Sequence, residues 1–158
     1  MLSLDGPVGK AMRTAAVIII ITGGGGIFGM MLRKAGVAEV LSGLLGGAAL
    51  GLWLPFIVSA AIRVAQGSAT VAIITTAALV APLLGDLGLD TDLGRTLVVL
   101  SIGAGSAVFS HANDSGFWVI TQLSDMSVEQ GLRLHTVATG ILGITAAVLV
   151  NVVWWVLG

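Results

Sequence analysis

Arg63-Val-Ala-Gln-Gly-Ser-Ala-Thr70 (RVAQGSAT) is a polar island between two apolar arms, Gly47–Ile62 and Val71–Gly85. Read as helix at 1.5 Å per residue, an arm of about 16 residues covers about 24 Å, short of a hydrocarbon core about 30 Å thick. Two short arms joined by Gln-Gly-Ser-Ala-Thr predict a helical hairpin that enters the membrane and returns. Non-helical backbone at that depth needs protein or a water-filled cavity to satisfy it, so the polar tip implies a cavity.

The membrane setting follows from the whole chain. Of its 158 residues, 56% are hydrophobic and 9% are charged, and the mean hydropathy is +1.07; soluble domains carry about 25% charged residues. Uncharged windows run over Thr14–Leu32, Val40–Ile62, Val64–Gly85, Thr96–Asn113 and Leu134–Gly158. The fold class expected is an all-α integral membrane protein in a single membrane domain, residues 1–158. Its parts are a glycine-broken span at about 12–32, a re-entrant hairpin at about 46–85, a broken span at 95–123 and a final span at 132–157. Neither a soluble domain nor a cleavable leader is visible. The opening MLSLDGPVGK is too polar for a signal sequence.

Several function classes fall away. There is no cysteine, so thiol catalysis and thiolate metal sites are excluded, and no metal site or cofactor is expected. A formal net charge of −1 without a basic cluster argues against nucleic acid as a partner. Under this topology Lys10, Arg13, Arg33, Lys34, Arg63, Arg95 and Arg133 fall in about equal numbers on the two sides and assign no orientation.

The glycines report packing. Four in a row, Gly23 to Gly26, thin the first span, and Gly43, Gly47 and Gly51 repeat at small-xxx-small spacing. Gly24-x-Gly26-x-x-Gly29 matches a dinucleotide fingerprint by spacing alone, but it lies in an apolar span with no βαβ context. Leu84–Gly94 (LGDLGLDTDLG) reads as an acidic surface loop. Ser127 and Gln130 fit a capping box for the last helix. Along that helix Thr136, Gly140, Gly143, Ala147 and Asn151 form a small, slightly polar stripe, and Trp154 and Trp155 suit an interfacial belt.

A second polar island, Ser110–Trp118 (SHANDSGFW), interrupts the span from Arg95 to Leu123. Extended as helix, Ser106, Ser110 and Asn113 would share a face, with Gly116 allowing the chain to unwind. Ionisable side chains at membrane depth are costly and mark functional sites by default. His111 and Asp114 are candidates to carry a proton. Arg63 is a counter-charge for an anionic ligand, a snorkelling side chain or a partner of Asp114; the sequence leaves the three open. His135, beside Arg133 at a helix start, reads as interfacial. At the hairpin tip Ser68 and Thr70 offer hydroxyls, Gln66 an amide, and Gly67 a close backbone approach. The N-terminus of the following arm offers an anion site. Ser68, His111 and Asp114 do not make a catalytic triad, because Ser68 lacks a nucleophile-elbow context. No catalytic residue is assigned.

The two islands in this order carry a resemblance. RVAQGSATVAIITTAAL (Arg63–Leu79), SIGAGSAVFSHANDSGFWVITQLSDMSVEQGLRLHTV (Ser101–Val137) and GGGGIFGMML followed by AGVAEVL resemble the C-terminal part of the gluconate permease family, the gluconate:proton symporters. That family sits in a wider ion-transporter class built from two inverted repeats, each with a re-entrant hairpin and a broken helix that meet at the substrate site. The resemblance implies a multi-pass protein of the bacterial inner membrane and symport of a small hydroxy-carboxylate such as gluconate with protons. It implies substrate contacts from Gln66, Gly67, Ser68, Thr70, Ser110, Asn113 and Gly116, with His111 or Asp114 for the proton. Hairpin-tip and unwound-helix roles fall to Gln66, Gly67, Ser68 and Thr70, and to Ser110, His111, Asn113, Asp114 and Gly116, respectively. Family members are about three times this long, so the expected partners include a missing N-terminal half or another transporter chain, besides the lipid bilayer. The alternatives are a non-transporting remnant or accessory subunit and, remotely, an intramembrane serine hydrolase.

Overall fold

The computed structural model describes residues 50–158 continuously, together with positions 6, 8, 9, 12, 16, 27, 31 and 34–36. The span expected at 12–32, the glycines at 43 and 47 and the expected start of the hairpin at 46 lie largely outside the described residues. Every regular element of residues 50–158 is helical. The elements are α1 (Trp53–Gln66), α2 (Ala69–Val80), α3 (Asp92–Ala107), α4 (Ser115–Leu123), α5 (Val128–Gly131) and α6 (Val137–Leu157).

The hairpin forms for local reasons. Gly67 takes φ +81°, a conformation side chains resist, and its N–H closes α1 on the Arg63 carbonyl at 2.8 Å. Ser68 is extended and accepts the Val71 N–H on its hydroxyl, which starts α2. With 14 and 12 residues, α1 and α2 measure about 21 and 18 Å at 1.5 Å per residue, each shorter than a hydrocarbon core about 30 Å thick. A short 3-10 turn at Ala81–Leu83 ends α2, with Pro82 inside it. Thr91 then caps α3 by accepting the Gly94 N–H at 3.0 Å.

The capping box at Ser127 and Gln130 is present in both directions, at 2.9 and 3.2 Å. From it α5, a π-helical stretch at Leu132–Thr136 and α6 run on as one helix of 30 residues, Val128–Leu157. Among the described residues this is the one helix long and apolar enough to cross a membrane. It begins four residues before the span expected at 132–157.

α3 is the central post, packed against α1, α2 and α6. Backbones approach closely at glycine: a Cβ on Gly105 would strike the Phe56 carbonyl and Ser59 of α1, and one on Gly143 would strike Val108 and the Ala104 carbonyl. Ser59 Oγ donates to the Ile102 carbonyl at 2.8 Å and Ser101 Oγ to the Leu52 carbonyl at 2.5 Å, which stitches α1 to α3. Small residues and hydroxyl bonds replace the hydrophobic drive that helices lack in lipid. The stripe on α6 faces this post, with Gly140, Gly143 and Ala147 buried. Trp154 departs from the belt expected of it. Half-buried, it packs against the core cluster that contains Leu52, Leu97 and Ile102, because its place on the stripe side turns it inward, while Trp155 is 86% exposed. Ile141, Leu142, Ile144, Leu149 and Val152 cover the outer side of α6 with exposed apolar surface.

Candidate functional site

α3 stops at Ala107, and Val108 turns to extended backbone. Phe109 follows with φ +48°. The break spans 108–114 and ends where Asp114 caps α4, its Oδ1 accepting the Gly116 N–H at 2.9 Å. Gly116 is therefore inside the first turn of α4, not in the unwound stretch as expected; the Asp114 cap starts the helix before it. Likewise the face shared by Ser106, Ser110 and Asn113 is not built, since helix ends before Ser110.

Side chains satisfy the irregular backbone. Thr139 Oγ1 accepts the Ser110 N–H at 3.1 Å, and Thr136 Oγ1 donates to the Ser110 carbonyl at 2.5 Å. Trp118 Nε1–H donates to the Ala112 carbonyl at 2.8 Å, and the Asp114 N–H closes a turn on the His111 carbonyl at 2.8 Å. The break is held by the protein, which is the condition for non-helical chain at membrane depth.

The tip of the α1–α2 hairpin lies against this break. A Cβ on Gly67 would collide with the Asn113 carbonyl, and Asn113 Nδ2 donates to the Val64 carbonyl at 2.8 Å. Arg63, on the last turn of α1, reaches across with one Nη to the Asp114 carboxylate and turns the other to the Gly67 carbonyl. Arg63 and Asp114 are 6% and 8% exposed. Of the three roles the sequence left open for Arg63, pairing with Asp114 is the one in the structure. The guanidinium keeps one buried donor, Nε–H, without a partner among the described residues.

Asp114 also accepts the Ser110 hydroxyl. Behind Ser110 stands His135, whose Nε2 is 3.1 Å from Ser110 Oγ. The chain Arg63–Asp114–Ser110–His135 thus joins α1, the break and the long helix. Sequence reasoning missed His135, together with Thr136 and Thr139. The π-helical stretch that contains His135 has no signature in the sequence, although such stretches often mark functional positions.

The remaining sequence-predicted residues are nearby but differently engaged. The His111 ring is partly exposed, with Nδ1 2.7 Å from the Phe109 carbonyl. Ser68 is partly exposed at the start of α2; Gln66 and Thr70 are exposed on either side of the tip. The helix starts at Ser68 and Asp114 place two sets of free backbone N–H groups at one locality, a favourable setting for negative charge. Chemically, the site joins two capped helix starts and hydroxyls to a buried cation that already has one carboxylate partner.

Comparison with known proteins identifies the family. The profile of the GntP family permeases matches residues 3–156. The chain is 44% identical over 152 residues to the inner membrane permease YgbN of Escherichia coli, covering 95% of this chain and 33% of that protein. It is 41% identical over 138 residues to a gluconate permease of Pseudomonas aeruginosa, covering 87% and 30%. To the Gnt-II system L-idonate transporter of Escherichia coli it is 37% identical over 150 residues, covering 92% and 33%. It spans about a third of the length of the curated relatives it matches. No solved structure matches it significantly.

Proposed function

Because this chain belongs to the GntP permease family, a family of transporters and not of enzymes, we propose that it carries half of the site of a symporter. The symporter moves a small hydroxy-carboxylate such as gluconate with protons across the inner membrane. The observation that carries the reading is the meeting of hairpin tip and helix break, through Asn113 on Gly67 and the buried Arg63–Asp114 pair. Transporter sites form where discontinuous helices turn their ends towards substrate and coupling ion.

In this reading α1 and α2 are re-entrant, and α3 and α4 are the two halves of one broken span. The substrate carboxylate sits at the N-terminal ends of α2 and α4. Ser68, Thr70 and Asn113 contact its carboxylate and hydroxyls, with Gln66, Gly67, Ser110 and Gly116 completing this wall. Arg63 supplies counter-charge, and His111 and Asp114 are the proton candidates. The opposite wall comes from a further part of the permease, in keeping with relatives about three times as long.

The test is uptake of radiolabelled gluconate, with and without an imposed proton gradient, by membranes carrying the protein. Wild-type uptake is expected to rise with the gradient. Asn113→Ala and Asp114→Ala are expected to abolish accumulation while the protein remains in the membrane. Full uptake by both variants overturns the site assignment, and gradient-independent uptake overturns the coupling.

A further inference from the structure

We propose that His135 is the proton-binding group that sets the availability of Arg63 for the substrate anion, acting through Ser110 and Asp114. This deepens the symport reading above and rests on it, with His135 in place of His111 and Asp114 as the group that takes up the proton. Two independent observations point to it: the unbroken contact chain from His135 Nε2 to the guanidinium, and the buried Nε–H of Arg63 that has no partner among the described residues.

The hydrogen-bond inventory gives the chain its direction. A neutral imidazole has one N–H and one acceptor nitrogen, and the imidazolium has two donors. Ser110 has one hydroxyl proton and two neighbours able to receive it, Asp114 Oδ2 and an unprotonated His135 Nε2. When His135 takes up a proton, Nε2–H must donate to Ser110 Oγ, and the hydroxyl proton goes to Asp114. The carboxylate then answers to two cations, the imidazolium through Ser110 and Arg63 directly. Its hold on Arg63 weakens, and the guanidinium has charge and a free donor to offer an incoming carboxylate. When His135 is neutral with Nε2 unprotonated, the Ser110 hydroxyl is free to turn to His135. Asp114 is then left with Arg63 and the Gly116 N–H, holds Arg63 more tightly, and the anion competes poorly. Proton and anion therefore each favour the binding of the other, as a symporter requires.

The surroundings leave His135 as the group that can change this balance. Imidazole is the side chain whose charge changes between about pH 5 and 8. From the break it faces Asp114 through Ser110, with Arg63 behind. α4 has no charged residue, and its Phe117 ring lies 6.2 Å from the imidazole. On its own helix Glu129 and Arg133 pair with each other at 2.8 Å and are exposed. Asp125, in the turn before α5, is exposed, and His111 turns its Nδ1 to the Phe109 carbonyl.

Reconstituted in lipid nanodiscs, the protein can be tested by gluconate binding from about pH 5.5 to 8, with a pH indicator reading proton uptake on gluconate addition. Wild-type affinity should fall with rising pH, by up to about tenfold per unit for one linked proton, with net proton uptake on binding. His135→Gln keeps a donor to Ser110, so it should bind gluconate with the same affinity across the range and take up no proton. Ser110→Ala, which leaves His135 in place, should lose the pH dependence too, and it serves should His135→Gln fail to fold. Wild-type pH dependence retained in both variants overturns the role of His135 and leaves the symport reading standing, as does loss of that dependence in His111→Gln alone. Absence of saturable binding of any hydroxy-carboxylate by wild type overturns the symport reading and this inference with it.

Discussion

Breaking the Arg63–Asp114 pair on one side should cost far more than removing it whole. Both partners are more than nine-tenths buried. Asp114→Asn keeps the size and the cap to Gly116 but leaves the guanidinium charge uncompensated; Arg63→Met leaves the carboxylate so. Stranding one charge of a buried pair costs about 3–5 kcal/mol, whereas replacing both with neutral groups of similar volume is often close to neutral. At about 2–4 °C per kcal/mol for a chain of this size, each single variant should melt about 6–20 °C below wild type. The double variant should recover most of that loss. The assay is thermal unfolding in detergent followed by tryptophan fluorescence, for which Trp118 is a local reporter, hydrogen-bonded to Ala112 within the break. A double variant no more stable than the worse single one would refute the reasoning, because it would mean that the two charges do not compensate each other.

Two glycine predictions test the packing. Gly67→Ala forces a side chain into the left-handed region, at about 1–2 kcal/mol, and drives its Cβ into Asn113; gluconate uptake should fall to background, and uptake at the wild-type rate would remove Gly67 from the contact between tip and break. Gly143→Ala and Gly103→Ala should differ in sign although both lie in helices. A Cβ at Gly103 meets nothing within 4 Å and should gain up to about 1 kcal/mol of helix propensity, while one at Gly143 meets Val108 and the Ala104 carbonyl and should lower the melting temperature.

Much of the fold was legible because it is written in short-range chemistry. A glycine followed by Ser68 between two short apolar arms gives a C-cap and an N-cap in succession, hence a hairpin. Ser127 and Gln130 give the start of the long helix by the same logic. The polarity of SHANDSGFW marked an interruption, and two strings of residues were specific enough to indicate the permease family. The end of the interruption was misplaced, because Gly116 looked like a point of unwinding. In fact the Asp114 side chain, aimed at the Gly116 N–H, begins the helix one residue earlier.

Over residues 50–158 the sequence by itself determined an all-helical fold with a glycine-capped hairpin tip and a capping box, each set by neighbours within four or five positions. Tertiary structure alone decided which polar groups meet. Arg63 and Asp114 are 51 residues apart in the chain, and Arg63 had three acceptable fates until α1 was laid against the break. Trp154 had an apolar core or a membrane interface to choose from, and the side of α6 that faces α3 settled it. His135 is 25 residues from Ser110, and a π-helical stretch turns it inward. No local rule encodes these meetings. They follow from close approach at Gly105 and Gly143, which brings the helices near enough for side chains to cross between them.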